Sequence, residues 1–459
     1  MSGAGGTQVV VLGAGVAGLT TALALAPHVD AVTIVDRDQL GDRPEPRQGV
    51  PQGRHVHVLL ERGADALERL APGLGDELAA AGAPVADWGA RGRLTFGGHR
   101  LARAPLGRDT VSPSRPLLEH HLRRRVASCA RVTILDGCAA VAPITSDDAR
   151  RVTGVRVRSD QDDGTARPLA ADLVVDCTGR ATRTPAWLRE LGYDPPATDE
   201  LRVDVRYASC HYRLSPDGLD GDVALICGPT PDAPHGGSMH RIEGDRWIVT
   251  LASLGEAPPT DPDGFEGYAA RLVDPDLHAA LRRGEPLDEP TPYRFVAHVR
   301  RRYERSRDLP AGLLVTGDAA CSFNPVYGQG MSVAAMEAER LAEMVADQGL
   351  PSPGQWFREL ARIVSAPWNL ATGSDLALPQ VEGHRSPTTR LLTAYLARYQ
   401  AAAAHDPALA ERFTRVINLL DDPGHLLRPA AVRRVLLRRR PAGDDRVRGP
   451  APERDQQPT

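Results

Sequence analysis

Val9-Val10-Val11-Leu12-Gly13-Ala14-Gly15-Val16-Ala17-Gly18 decides the fold. Its first four residues are apolar and mostly β-branched, the composition of a short strand buried on both faces. The glycine turn leads into residues 19–26, which are rich in alanine and leucine and read as a helix. Ala31-Val32-Thr33-Ile34-Val35 follows as a second strand and ends at Asp36. Strand, glycine turn, helix, strand and acid stand in the order and length of a dinucleotide-binding unit.

Each part of the turn has a mechanical role in that reading. Gly13 permits the tight turn, Gly15 lets backbone amides approach a pyrophosphate, and Gly18 lets helix pack closely on strand. Val16 and Ala17 open the helix whose positive end faces the phosphates. Asp36 is placed to accept hydrogen bonds from an adenosine ribose and argues against a 2′-phosphate, although neighbouring Arg37 blurs that point. A tight strand–helix turn without a ligand is the competing reading, and the fingerprint does not choose among dinucleotides.

The chain has 459 residues, enough for two or three domains, with 42% hydrophobic and 25% charged residues, as in soluble globular proteins. A formal net charge of −4 gives no global basic field for nucleic acid. No apolar run approaches the ~18–20 residues that span a bilayer. With no basic and apolar leader pattern before the first strand, a cytoplasmic location is expected. The six cysteines lack CxxC pairing, which suits reduced thiols and no metal site. Every basic residue is arginine, so lysine chemistry is excluded.

Further along, Arg47-Gln48-Gly49-Val50-Pro51-Gln52-Gly53-Arg54-His55-Val56-His57 is a polar, glycine-punctuated loop before a helix over 59–70. His55 and His57 alternate as zinc ligands sometimes do, but no third ligand accompanies them, and a structural or cofactor-edge role is expected. Arg47 and Arg54 stand where a loop folding back over the first turn would meet phosphate oxygens; solvated surface arginines are the alternative. Ser112-Pro113-Ser114-Arg115-Pro116 starts another helix and aims Arg115 toward the glycine turn. Residues 152–159 and 167–175 read as a hairpin-like pair, the latter running into Asp176-Cys177-Thr178-Gly179-Arg180. From about 201 to 297 strands dominate, interrupted by a short helix over 265–281. Gly312-Leu313-Leu314-Val315-Thr316-Gly317-Asp318 is a buried strand ending in glycine–aspartate. Pro325-Val326-Tyr327-Gly328-Gln329-Gly330-Met331 and a helix from 332 follow, making a second cradle for polar groups. Residues 346–440 read as helical, and 441–459 as a charged, proline-rich disordered tail. The basic, apolar stretch 432–440 is expected to be a solvated final helix, with a membrane or acidic partner as the alternative.

The glycine turn, Asp176–Arg180 and Gly317-Asp318 stand in the order of three motifs of the single-component flavoprotein monooxygenases. Arg47–His57 and Phe323–Ser332 make the chain resemble bacterial natural-product flavoproteins more closely, among them the epoxidases of polyether biosynthesis. The resemblance implies the para-hydroxybenzoate hydroxylase fold: an α/β, Rossmann-like FAD-binding domain interleaved with a mixed β-sheet substrate domain, plus a C-terminal helical region. The expected boundaries are 1–75, 100–195 and 298–345 for the first, 76–99 and 196–297 for the second, and 346–440 for the third. It further implies that Gly13, Gly15 and Gly18 hold the FAD pyrophosphate and Asp36 the ribose. Arg47 and Arg115 would lie along the pyrophosphate and ribityl chain, and Asp318 would bind ribityl hydroxyls or a phosphate-bound water. The Pro325–Met331 loop, with Gly328, Gly330 and Met331, would lie beside the flavin ring.

The function so implied is oxygen transfer from a flavin C4a-hydroperoxide to an alkene or electron-rich ring of a large apolar, polyketide- or terpenoid-like substrate. NADH or NADPH would be the reductant, although Cys177 and Thr178 weaken the motif associated with nicotinamide. Tyr207, Tyr212, Trp247 and Tyr293 are candidate lining residues, with core packing as the alternative for each. No catalytic residue is assigned. A rival within the same build is a FAD-containing [4+2] cyclase that forms a decalin from a linear polyene, with FAD structural. A reductase of the geranylgeranyl reductase type, a halogenase (whose WxWxIP-type signature is absent) and a flavin-binding interaction module are the remaining alternatives.

Overall fold

The structure is a computed structural model that describes residues 6–437 apart from 48, 160–163 and 216–217. The tail expected at 441–459 lies outside the described residues. The first sheet is parallel throughout, in the order Leu313–Val315, Leu173–Asp176, Gln8–Leu12, Ala31–Val35, Val132–Leu135. Gln8–Leu12 is central, and Val9, Val10, Val11 and Leu12 are each at most 1% exposed. A parallel strand covered on both faces explains the unbroken apolar run. The helices Val16–Leu25, Arg115–Ala127 and Gln329–Gln348 pack together on this sheet's core. Ser114 caps Arg115–Ala127 by accepting from Leu117 N–H, so the serine–proline start reads as expected.

The second sheet has nine strands. From Cys321–Ser322 it runs through Thr291–Arg301, Thr198–Arg213, Arg246–Leu254, His235–Ile242, Ala224–Cys227 and Gly92–Phe96 to His99–Arg100; Glu285–Pro286 joins Thr198–Arg213 off this path. Pairing is antiparallel except where Ala224–Cys227 meets Gly92–Phe96. One face carries Tyr212, Trp247, Val249 and Leu251 against the helices Pro262–Ala269 and Pro275–Leu281. The opposite face carries Tyr207, Ser209, His211, Ile248 and Thr250, as the two-residue period of a strand requires. Beyond the second sheet the chain is helical: Pro353–Leu376, Pro387–Ala403, Pro407–Ile417 and Pro429–Leu437. Among the described residues no helix is long and apolar enough to cross a membrane.

Two expected elements divide. The single strand over 167–175 is Arg167–Ala170, paired with Val152–Ser159, then Leu173–Asp176 in the parallel sheet, with the chain changing sheets at Ala171–Asp172. The helix over 265–281 is two helices, because Asp274 caps a fresh start at Pro275.

Candidate functional site

The glycine turn is held by contacts that only glycine permits. Gly13 has φ +96°, and a Cβ there would lie 2.8 Å from the Cys177 carbonyl oxygen; one on Gly18 would lie 1.8 Å from the Gly13 carbonyl oxygen. A Cβ on Gly15 would meet nothing closer than Arg47 Nη2 at 3.8 Å. Gly15 precedes Val16–Leu25, whose first turn has no side-chain cap and no acid, so its free N–H groups face an open cradle. Val16 is buried and Ala17 part-buried behind them.

Asp36 is 7% exposed and accepts from Ala14 N–H at 2.5 Å and Asp38 N–H at 2.8 Å. Arg47 reaches Asp36 at 3.2 Å, Asp38 at 3.0 Å and Glu119 at 3.4 Å. Burial opposes its charge, but Glu119, Asp36 and Asp38 outweigh burial and hold its pKa above the ordinary value. Arg115 pairs with the other oxygen of Glu119 at 2.8 Å. Glu119 therefore joins the two arginines, a link that sequence reading missed although its i,i+4 spacing from Arg115 signals it. Arg37 points to solvent, 4.0 Å from Asp38, and Arg54 is exposed.

The second cradle forms where Gly317 (φ +62°) and Asp318 turn under the helix Gln329–Gln348. Among the described residues no group donates a hydrogen bond to the part-buried Asp318 carboxylate. Burial pushes its pKa up, opposed by the charges of Arg180, Arg115 and Arg301. Pro325–Tyr327 is a single 3-10 turn, and Gly328 (φ +66°) ends it and starts the long helix without a side-chain cap or an acid in its first turn. Gly330 is open except for Asp318 Oδ1, which a Cβ there would meet at 3.7 Å, and Met331 is 6% exposed. Two uncapped helix starts and an unpartnered carboxylate suit a pyrophosphate, an electron-rich ring edge and a polyol respectively.

A cleft opens between residues 53–59, residues 112–116 and the second sheet. Across the sheet, His211, Ile248 and His240 form one row by strand register, and all three line the cleft. Val58 is another wall, and a Cβ on Gly328 would lie 3.2 Å from its Cβ, so cleft and second cradle share a boundary. His55 stands edge-on to Tyr207 and Tyr293, with ring centroids 4.9 and 5.2 Å away. Arg180 donates to the Tyr293 hydroxyl and lies 5.7 Å from the Phe295 ring. Burial, with Arg54 and His211, pushes the His55 pKa down to about 4. Burial and Arg115 push His57 down to about 3, and burial alone takes His240 to about 3. Of the four aromatic residues singled out, Tyr207 and Tyr293 gather at His55. Tyr212 and Trp247 do not; they pack on the helix-covered face.

One further network was not legible. Asp375, 2% exposed, accepts from His298 Nε2 at 2.6 Å, the Tyr327 hydroxyl at 2.6 Å and Asn324 Nδ2 at 3.1 Å. Asn324 N–H donates to His298 Nδ1 at 3.2 Å, so the imidazole proton sits on Nε2. A residue of the C-terminal helices thereby ties down the Asn324–Gly328 loop.

Comparison with known proteins agrees with this geometry. The chain is 34% identical over 428 residues to protein Rv3254 of Mycobacterium tuberculosis, covering 90% of this chain and 89% of that one. It resembles the solved structure of a triple mutant of the flavin-dependent brominase Bmp2, with a TM-score of 0.66 at 16% identity over 94% of this chain and 99% of that one. It also resembles the Diels-Alderase PyrE3 of pyrroindomycin biosynthesis, with a TM-score of 0.59 at 18% identity over 90% and 80% of the two chains. At such identities the structural likeness establishes the fold. The FAD binding domain family matches residues 6–348, which contain both cradles, and the chain belongs to that family of flavoproteins.

Proposed function

We propose that the protein is a FAD-dependent monooxygenase acting on an alkene or electron-rich ring of a large apolar, polyketide- or terpenoid-like molecule, with NADH or NADPH as reductant. Bound flavin would supply the oxidative chemistry by accepting reducing equivalents and delivering an oxygen atom from O2. The observation that carries this reading is the shared wall at Val58, which sets the cleft directly beside the Gly328 turn. Gly13, Gly15 and the first turn from Val16 and Ala17 to Gly18 would hold the pyrophosphate, with Arg47 and Arg115 alongside and Asp36 at the ribose. Asp318 would take ribityl hydroxyls, and Pro325, Gly328, Gly330 and Met331 would border the ring. Arg37 points away from this set and would contribute only long-range charge.

The chain's own chemistry is positioning. The uncapped start of Gln329–Gln348 favours negative charge beside it. The cleft lining joins the imidazoles of His55, His57 and His240, which burial keeps neutral, to apolar walls and to Arg115, Arg241 and Arg246. Among the described lining residues the one carboxylate is Glu243, held by Ser114 N–H at 3.0 Å and by Arg246 at 3.2 Å.

A second reading is a FAD-containing [4+2] cyclase without net redox chemistry. It is favoured by Asp176, in the turn associated with nicotinamide contacts, which is fully buried beneath the hydroxyls of Thr178, Thr182 and Thr184. The test follows flavin absorbance anaerobically with NADH or NADPH, with and without a linear polyene. Bleaching, then reoxidation in air with one oxygen added to the polyene, is expected. A flavin that stays oxidised while the polyene changes its ultraviolet spectrum at constant mass would overturn the oxygenase in favour of the cyclase.

A further inference from the structure

His55 and His57 lie two residues apart, and both line the cleft. Their Nδ1 atoms are both engaged, and by different chemistry. His57 Nδ1 lies 3.0 Å from the His55 carbonyl oxygen, which only accepts, so Nδ1 of His57 carries the proton and donates. His55 Nδ1 lies 2.9 Å from Ser209 Oγ, which lies 2.6 Å from Thr250 Oγ1, which in turn accepts from Val56 N–H at 3.2 Å. Ser209 and Thr250 are buried partners across adjacent strands. Both of their hydroxyl protons find acceptors when Thr250 donates to Ser209 and Ser209 donates to His55 Nδ1. The reverse direction leaves the Thr250 proton buried and unpaired, a costly arrangement.

His55 therefore carries its proton on Nε2, while His57 keeps a lone pair there. Neither Nε2 has a partner among the described residues, and neither is sealed from the cleft, whereas Nε2 of neighbouring His240 is. Burial keeps both rings neutral. The arginines in the cleft lining are each paired: Arg115 with Glu119, Arg241 with Asp245 and Arg246 with Glu243, while exposed Arg54 adds positive charge near His55.

We propose that His55 and His57 form a fixed donor–acceptor pair that reads a neutral ligand bearing both a carbonyl oxygen and a hydroxyl or N–H group. His55 Nε2–H donates to the carbonyl, and His57 Nε2 accepts from the hydroxyl or N–H. This rests on the cleft being the substrate site, as in the function proposed above, and narrows the substrate to an oxygenated, uncharged molecule in place of a bare hydrocarbon or an acid.

The test uses the holoprotein with oxidised flavin and no reductant, so failure of oxygen transfer leaves its outcomes unaffected. Selective 15N labelling of the 14 histidines, assigned with His55→Gln and His57→Gln, reads each tautomer directly. Neutral His55 protonated at Nε2 and neutral His57 protonated at Nδ1 are expected. Either ring in the opposite tautomer, or protonated on both nitrogens at neutral pH, would overturn the assignment. Titration with 4-hydroxyacetophenone, 4-methoxyacetophenone and 4-hydroxybenzoate, followed by flavin absorbance and histidine shifts, then tests the ligand class. The first is expected to bind about tenfold more tightly than either of the others, the worth of one satisfied hydrogen bond, and His57→Leu should abolish its preference over 4-methoxyacetophenone. Equal affinities, preference for the anion, or no binding of any of the three would refute the ligand class.

Discussion

Glu337 lies beneath the Gly317–Asp318 turn, 1% exposed, with Oε2 accepting from Thr316 Oγ1 and from Gly317 N–H at 2.7 Å and Oε1 without a partner. Burial pushes its pKa up to about 7, while the two hydrogen bonds pull the other way. Because the folded value exceeds the ordinary 4.5, the stabilisation is complete below that value and is lost as pH rises through about 7. The wild type should therefore lose up to about 3 kcal/mol relative to Glu337→Gln between about pH 5 and pH 8. Paired urea melts at the two pH values measure this difference, and parallel curves would contradict it. The glycines give a second residue-scale contrast. Gly18→Ala forces a methyl to 1.8 Å from the Gly13 carbonyl oxygen and should destabilise the apoprotein by about 1–3 kcal/mol. Gly15→Ala has free space on the protein side and should leave the apoprotein melting temperature unchanged while losing bound FAD, read as flavin absorbance per chain after gel filtration.

The loop Asn324–Gly328 shows why elements next to a site need an anchor. Its own contacts are one 3-10 turn and an Asn324 side chain accepting from Val326 N–H at 3.3 Å. The rest comes from Asp375 on Pro353–Leu376 and His298 on Thr291–Arg301, with Phe295 and Trp368 edge-on to the imidazole. Tyr327→Phe removes one hydrogen bond and should cost about 1 kcal/mol. Asp375→Leu strands His298 Nε2–H and the Asn324 amide and should cost more; both should release FAD faster on dilution, measured by recovery of flavin fluorescence. Undiminished retention in both would show that the loop holds its place without the anchor. The sequence made the loop visible, because glycine, proline and a following helix are local signals. It could not reveal the anchor, whose partners are separated by 26, 48 and 77 residues and carry no shared pattern. The same limit explains the divided strand at 167–175: a change of sheet leaves a continuous polar-and-apolar run unmarked. The helix break at Asp274-Pro275, by contrast, carried a capping signal that the single-helix reading over 265–281 passed over. Gly13–Gly18 was legible as a tight strand–helix turn because one short stretch holds every steric requirement. Glu119 carried only its i,i+4 signal to Arg115, since its link to Arg47 appears only when that loop folds onto the helix Arg115–Ala127.

At the scale of the molecule, the family match ends at residue 348 but the nucleotide domain's core does not. Trp356, Phe357, Leu360 and Val364 belong to the same buried cluster as Val9–Leu12 and Val174. Trp356 is fully buried and donates from Nε1 to the Val315 carbonyl oxygen at 3.0 Å, two residues before the Gly317-Asp318 turn. Phe357 stacks on Tyr303 at a centroid distance of 4.6 Å. A chain ended at residue 348 would expose this surface and leave that carbonyl unpaired, so it should fail to accumulate as a soluble folded protein. Trp356→Ala isolates the effect within the full chain and should cost about 3–5 kcal/mol through cavity formation and the lost hydrogen bond. For a domain whose whole stability is about 5–15 kcal/mol, that is a large share. Arg362→Ala on the same helix, where the side chain is 74% exposed, should stay within about 0.5 kcal/mol and serves as the control. If urea melts gave both variants the same stability, or if the shortened chain melted cooperatively with FAD bound, the helices after residue 348 would be an appendage. Buried as Trp356 is, they are expected to be part of the cofactor domain itself.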